Sequence, residues 1–262
     1  VPGPQSTYLV IGPPRSASTA LSRVIWNNPG IRYYSHEPYE ATYFKGLDLA
    51  EAVAALNNPL DLTGVAGPKT GDGVLVKEIS FQIGEHLPHL LARTAHPVVF
   101  LLRDPRLTIS SRRRVKELQQ QPPDFPLVET GWQDLVAQID HCREHGVEHL
   151  VIDSFDFRSH PAGVFERLFG AWGLTFDQAQ LSWRPQPELS LSNYRVGGVD
   201  HFFTRVLNSE GLELPVEVPI PVEDFPSAGG LRDHVRWAME QYERLRESPQ
   251  FVRAAAVEAA HS

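Results

Sequence analysis

The run Thr7-Tyr-Leu-Val-Ile-Gly-Pro-Pro-Arg-Ser-Ala-Ser-Thr-Ala-Leu-Ser22 decides the fold class. Tyr8 to Ile11 are consecutively apolar and end in two β-branched residues, so 7–12 reads as a buried strand. Gly12-Pro13-Pro14 breaks it. A helix is expected over 18–28, stopped by Pro29-Gly30. A strand, a tight loop and a helix start in that order form an anion site, because loop N–H groups and the positive end of the helix dipole converge there. Arg15 adds a formal positive charge, and Ser16, Ser18 and Thr19 add hydroxyl donors.

Outward from this run the pattern repeats. Apolar stretches over 32–36, 74–79, 97–102 and 150–152 read as strands, and 47–56, 84–94, 107–120, 129–145 and 164–172 as helices. Alternating strands and helices with apolar strands predict a three-layer α/β fold, a central parallel sheet with helices on both faces. No internal repeat is visible, and a single domain over 1–262 is expected. Within it, 182–230 is Pro-rich and irregular, and two helices, 231–247 and 249–260, close the chain.

Composition narrows the function classes. With 262 residues and 42% hydrophobic content the chain can bury a sizeable core. No apolar stretch approaches the roughly 18–20 residues of a membrane span. Cys142 is the only cysteine, so an internal disulfide is impossible and a reducing, cytoplasmic setting is expected. A net charge of −8 argues against a nucleic-acid binder. The cations are 20 Arg against 4 Lys, a bias that suits bidentate gripping of an anion and that genomic base composition produces equally well.

A nucleotide-kinase loop has Gly, four residues, then Gly-Lys-Ser/Thr. On that spacing Gly12 leads to Ala17, Ser18 and Thr19, so the Lys is missing. The site is poorly equipped for a triphosphate and well equipped for one phosphate bearing a transferable neighbour. Pro14-Arg-Ser-Ala-Ser-Thr19 resembles the 5'-phosphosulfate loop of sulfotransferases that use 3'-phosphoadenosine 5'-phosphosulfate (PAPS), with Ala17 where that family usually has Gly. Val98-Val-Phe-Leu-Leu-Arg-Asp-Pro-Arg-Leu-Thr-Ile-Ser-Ser111 resembles the family's 3'-phosphate element, a strand ending in Arg with Ser eight residues on; Arg103 and Ser111 fit it. The stretch 150–174 resembles a third, scaffolding element, in which Leu168, Phe169 and Trp172 pack on the sheet. Tyr194-Arg-Val-Gly-Gly198 is similar to the family's nucleotide-closing loop at Arg195 and Gly197.

The resemblance implies a P-loop-like sulfotransferase fold, PAPS as co-substrate, 3'-phosphoadenosine 5'-phosphate (PAP) as product and no metal requirement. It places Arg15, Ser16, Ala17, Ser18 and Thr19 at the 5'-phosphate, and Arg103, Ser111, Arg195 and Gly197 as further nucleotide contacts. Lys77 stands where the family often has a second catalytic Lys, and Ile79 stands where cytosolic members keep a His base. The chain is therefore closer to the carbohydrate and heparan-type members, whose base is a Glu after the second strand, here Glu37. His36 is the competing base, of suitable intrinsic pKa. The run Arg112-Arg-Arg114 either adds positive potential beside the site or, as such runs more often do, forms a solvated helix face.

Two other functions fit the loop alone, a P-loop phosphotransferase and a nucleotide-binding protein without catalysis. The expected acceptor group is a hydroxyl or an amine, on a small molecule, carbohydrate or lipid, with a peptide tyrosine also compatible, and the acidic net charge disfavours a polyanionic glycan. Tyr39, Tyr43, Phe44, Trp183, Tyr194, Phe202 and Phe203 could line an apolar acceptor pocket or simply pack the core.

Overall fold

The structure is a computed structural model that describes residues 6–191 and 203–254. Its first half alternates β1 (Thr7–Gly12), α1 (Ser18–Trp26), β2 (Ile31–His36), α2 (Glu40–Lys45), α3 (Leu49–Asn57), β3 (Leu60–Asp61), β4 (Gly73–Ile79), α4 (Ser80–Ile83) and α5 (Leu87–Leu91). The second half continues with β5 (Val98–Leu102), α6 (Pro105–Leu118), α7 (Trp132–Glu144), β6 (His149–Asp153), α8 (Ser154–Ser159) and α9 (Pro161–Ala171). Two more helices, α10 (Thr204–Leu207) and α11 (Leu231–Arg246), follow the irregular segment.

The six strands lie in the order β3-β2-β4-β1-β5-β6, parallel throughout except for β3, a two-residue antiparallel edge. The expected α/β sheet with helices on both faces is present. Its strands are apolar on both sides because both sides are covered. Tyr8 and Val10 pack with α1, α8 and α9, burying Leu21, Ile25, Phe157, Leu168, Phe169 and Trp172. Leu9 and Ile11, on the opposite face, pack with α3, α5, α7 and α11 through Leu56, Leu90, Trp132, Ile139 and Leu245.

Strand order places the site. From β1 the chain moves outward to β2, returns to β4, then crosses β1 to reach β5. The loops leaving β1 and β5 therefore diverge onto opposite faces, and a crevice opens at the carboxyl ends of the strands.

Two local expectations are corrected. The helix expected over 129–145 is divided at Gly131, whose φ of 77° cannot continue it, so α7 begins only at Trp132. No helix runs through 249–254. Ser248 instead opens a turn through Pro249 and Gln250, closed by the Phe251 N–H donating to the Ser248 carbonyl at 3.1 Å. Phe251 then forms a parallel bridge to Val151 of β6. The Val151 N–H donates to the Gln250 carbonyl at 2.9 Å, and the Val252 N–H to the Val151 carbonyl at 2.8 Å. Burying Phe251 and Val252 against the sheet outweighs the local helical preference; residues 255–260 lie outside the described chain. Among the described residues no helix is long and apolar enough to cross a membrane.

Candidate active site

The loop after β1 turns sharply because Gly12 carries no side chain: a Cβ there would lie 2.9 Å from Ser16 Oγ and 3.2 Å from Leu101 Cβ. Arg15 and Ala17 both adopt φ of 65°, alternating with Ser16, which curls the loop about its own N–H groups. Ala17 keeps the glycine-like conformation despite its methyl group, at a cost of about 1–2 kcal/mol. It is also the N-cap of α1 and offers no side-chain cap, so the first N–H groups of the helix are left to the loop's concave side. Ser18 and Thr19 line the cleft there. Ser16 does not: it is fully buried beneath the loop, against Gly12, and supports the turn.

Three of the predicted residues are tied together across 96 positions of sequence. Arg15 Nε–H donates to Ser111 Oγ at 3.2 Å, and Arg103 Nη1 donates to the Arg15 carbonyl at 2.7 Å. Arg103 leaves the end of β5, and Ser111 lies one and a half turns into α6, whose first turn is capped by the Asp104 side chain. Burial, reinforced by Arg103 and Arg112, pushes the Arg15 guanidinium down to about 10. Guanidiniums crowded this closely repel one another, an arrangement that an anion relieves.

Across the cleft, β2 and β4 pair in parallel with His36 beside Lys77, which sets Glu37 next to Lys77. Glu37 takes φ of 45°, its N–H donating to the Lys77 carbonyl at 2.8 Å, and this turn aims its carboxylate inward. Lys77 Nζ donates to Glu37 Oε1, and Gln82 Nε2 donates to Oε2 at 3.3 Å. Burial alone would raise the Glu37 carboxyl, but the Lys77 charge and the hydrogen bonds from Lys77 and Gln82 hold it down at about 2. His36 is pushed down to about 3 by burial and is neutral; its Nδ1 meets the Tyr34 hydroxyl at 2.6 Å. Its Nε2 lies 3.4 Å from Glu37 Oε1. The adjacent Glu78 turns away and accepts the N–H groups of Tyr39 and Ile79 at 2.8 and 2.7 Å, fixing the β2–α2 turn.

These groups share one cleft of about 1540 Å³, lined by Arg15, Ala17, Ser18, Thr19, His36, Glu37, Lys77, Arg103 and Ser111. Its volume exceeds the ~300–1,000 Å³ of an ordinary small-molecule pocket. Arg195 and Gly197 fall outside the described residues. Phe44 and Phe203 line the cleft, Tyr39 is core, and Trp183 stacks under Arg23, 5.0 Å from ring centre to guanidinium. Tyr194 and Phe202 lie outside the described residues.

Sequence reasoning missed Gln82, Arg112, Glu129, Arg158 and Glu217, all of which line the cleft. The expected solvated face at 112–114 fails at Arg112. That residue turns inward, pairs with Glu129 and stacks on Phe125 and Phe81 at 4.8 and 5.5 Å. Its position directly after Ser111 was the available signal, since neighbouring helix positions flank the same groove.

A family model described as a sulfotransferase domain matches residues 8–247. The chain belongs to the sulfotransferase domain family. Two solved structures show that this sulfotransferase chain shares their fold. The sulfotransferase domain from the Synechococcus PCC 7002 olefin synthase superposes with a TM-score of 0.54 at 17% identity, covering 92% of this chain and 97% of that one. The sulfotransferase domain from the curacin biosynthetic pathway gives 0.51 at 17% identity, covering 92% and 98%. A mouse sulfotransferase complexed with PAP is similar over 67% of this chain and 60% of its own, at 11% identity and a TM-score of 0.47. A search of curated protein sequences gives no match.

Proposed function

We propose that this sulfotransferase-family chain moves a sulfuryl group from PAPS to the hydroxyl of a small, largely apolar acceptor, releasing PAP and a sulfate ester. The observation that carries the reading is the linkage of Arg15, Arg103 and Ser111 on one side of a cleft whose other side holds Glu37 and Lys77. A cluster of mutually repelling guanidiniums beside a curled N–H loop fits a nucleotide with separate 5'- and 3'-phosphates.

In this reaction the acceptor oxygen forms a bond to sulfur while the bond from sulfur to the 5'-phosphate oxygen breaks, and the acceptor proton passes to Glu37. Arg15 and the loop N–H groups stabilise charge growing on the leaving phosphate. Arg103 and Ser111 hold the 3'-phosphate. Glu37 is ionised across the working pH range, and it acts as a base through orientation rather than high proton affinity. Lys77 fixes that orientation and adds positive charge near the transferring group. His36, neutral and wedged between Tyr34 and Phe203, buttresses Glu37. Phe44, Phe81 and Phe203 supply the apolar wall for the acceptor. The single buried Cys142 fits a cytoplasmic setting.

Calorimetry with PAP in magnesium-free buffer tests the donor site. Micromolar binding that is lost in Arg103→Ala is the expected result; binding of magnesium–ATP in place of PAP would sink it. Transfer of labelled sulfate from PAPS to a panel of long-chain alcohols then tests the acceptor, with Glu37→Gln expected to lower kcat by about 10²–10⁴-fold while sparing PAP affinity.

A further inference from the structure

Within the Pro-rich segment, residues 212–221 read Leu-Glu-Leu-Pro-Val-Glu-Val-Pro-Ile-Pro and lie outside any helix or strand. Pro215, Pro219 and Pro221 have no N–H to give, so the run cannot pair as a regular strand. Leu214 and Val216 face solvent at 67 and 73% exposure, while Glu217 and the exposed Val218 border the cleft.

There Glu217 divides its carboxylate between two arginines. Oε1 lies 3.3 Å from Arg103 Nη2, and Oε2 accepts from Arg158 Nη1 at 3.2 Å. The two guanidiniums arrive from adjacent parallel strands, Arg103 just past β5 and Arg158 on the helix that follows β6. Both are nearly buried. Arg158 also holds the strap itself, through Nε–H to the Glu213 carbonyl at 2.9 Å and Nη2 to the Leu214 carbonyl at 3.0 Å.

Counting charge separates a simple clasp from a ligand site. Glu217 brings one negative charge to the two guanidiniums it touches, with Asp104 and Asp153 also acting on Arg103, whereas a phosphate monoester brings about −1.5 to −2 at neutral pH. Two oxygens gripped by two guanidiniums is also the geometry that phosphate accepts. Arg103 is already the proposed 3'-phosphate ligand, and Ser111 Oγ, its expected companion, is engaged by Arg15.

We propose that Arg158 is a second arginine of the 3'-phosphate site, and that Glu217 is that site's built-in competitor, holding both cations until the 3'-phosphate of the nucleotide displaces it. This rests on the PAPS reading above. Nucleotide binding then releases the strap beside the cleft, so that strap and 3'-phosphate exclude one another.

The test compares PAP with adenosine 5'-monophosphate, which lacks the 3'-phosphate, by calorimetry on the full chain without magnesium. Glu217→Gln is expected to bind PAP roughly tenfold more tightly than the parent, with 5'-monophosphate affinity unchanged. Arg158→Ala is expected to lose roughly tenfold or more for PAP alone. Unchanged or weakened PAP binding in Glu217→Gln, or equal losses for both nucleotides in Arg158→Ala, would overturn the proposal. Should Arg158→Ala not fold, the Glu217→Gln arm decides. PAP bound with an unaltered ratio between the two nucleotides sinks this inference only. Absence of PAP binding from both the parent and Glu217→Gln sinks the PAPS reading and this inference together.

Discussion

Glu37 shows how a residue's neighbours set its chemistry. A buried carboxylate alone would hold its proton, yet Lys77 keeps this one ionised to about pH 2. Its pKa is lowered on folding, so the unfolded chain binds more protons between about pH 2 and 4.5. The stability contributed by the pair is therefore complete above pH 4.5 and fades as pH falls through about 2. Denaturant titrations of the parent and Glu37→Gln should show a gap in midpoint that closes over that window; a gap constant with pH would contradict the ionised pair. Ala17 carries the opposite kind of signature, a methyl group held at φ of 65°. Ala17→Gly removes the left-handed strain and adds unfolded-state entropy, for a net gain of about 1 kcal/mol, measured by chemical denaturation. The placement of both residues at the cleft was legible in the sequence, because each belongs to a short local motif: a loop after a strand, and a Glu after the next strand.

At the scale of elements, the β1 loop is pinned from outside by the start of α7. A Cβ on Gly131 would lie 2.6 Å from Ser80 Oγ, 2.8 Å from Pro14 Cδ and 3.1 Å from Pro13 Cα, and its φ of 77° already excludes most side chains. Ser80 in turn donates its hydroxyl to the Gly131 carbonyl at 2.6 Å. Gly131→Ala should destabilise the fold by about 2–4 kcal/mol and weaken PAP binding through a displaced Pro13-Pro14 loop, read by thermal unfolding and calorimetry on the same preparation. The strands and long helices were expected within a few residues, since strands apolar on both faces and amphipathic helices announce themselves by periodicity. What could not be read was contact between elements. Arg112 looked like one of three solvated arginines until Phe81, Phe125 and Glu129, from three other segments, gave it a place to turn inward. Arg158 and Glu217 stand 59 residues apart, on a helix and a strap with no motif between them. Spacing encodes nothing about such a pair. The helix expected over 249–254 failed for a similar reason, because a sheet edge that no local window contains claimed Phe251.

For the molecule as a whole, concentrating Arg15, Arg103, Arg112 and Arg158 in one cleft of an otherwise acidic chain couples ligand binding to stability. At one hundred times its Kd, PAP should add about 2.7 kcal/mol of stability, a rise in Tm of roughly 5–10 °C. At a fixed PAP concentration the rise should shrink with added salt, because ligand and arginines attract chiefly through charge. Differential scanning fluorimetry across a salt series reads it directly, and a salt-independent shift would argue for a binding mode dominated by apolar contact.

The return of the chain from α11 to lie along Val151 has a further consequence. β6 is the outermost strand on its side, and Gln250 and Val252 occupy the hydrogen-bonding groups of Val151 that would otherwise point outward. Those few residues act as a guard against self-association, since a bare strand edge is a template for another copy of the same edge. A chain cut after Glu247 keeps α11 and the whole cleft, and it should still bind PAP. It should also form oligomers at concentrations where the longer chain scatters light as a single species, with the added copies joined through β6.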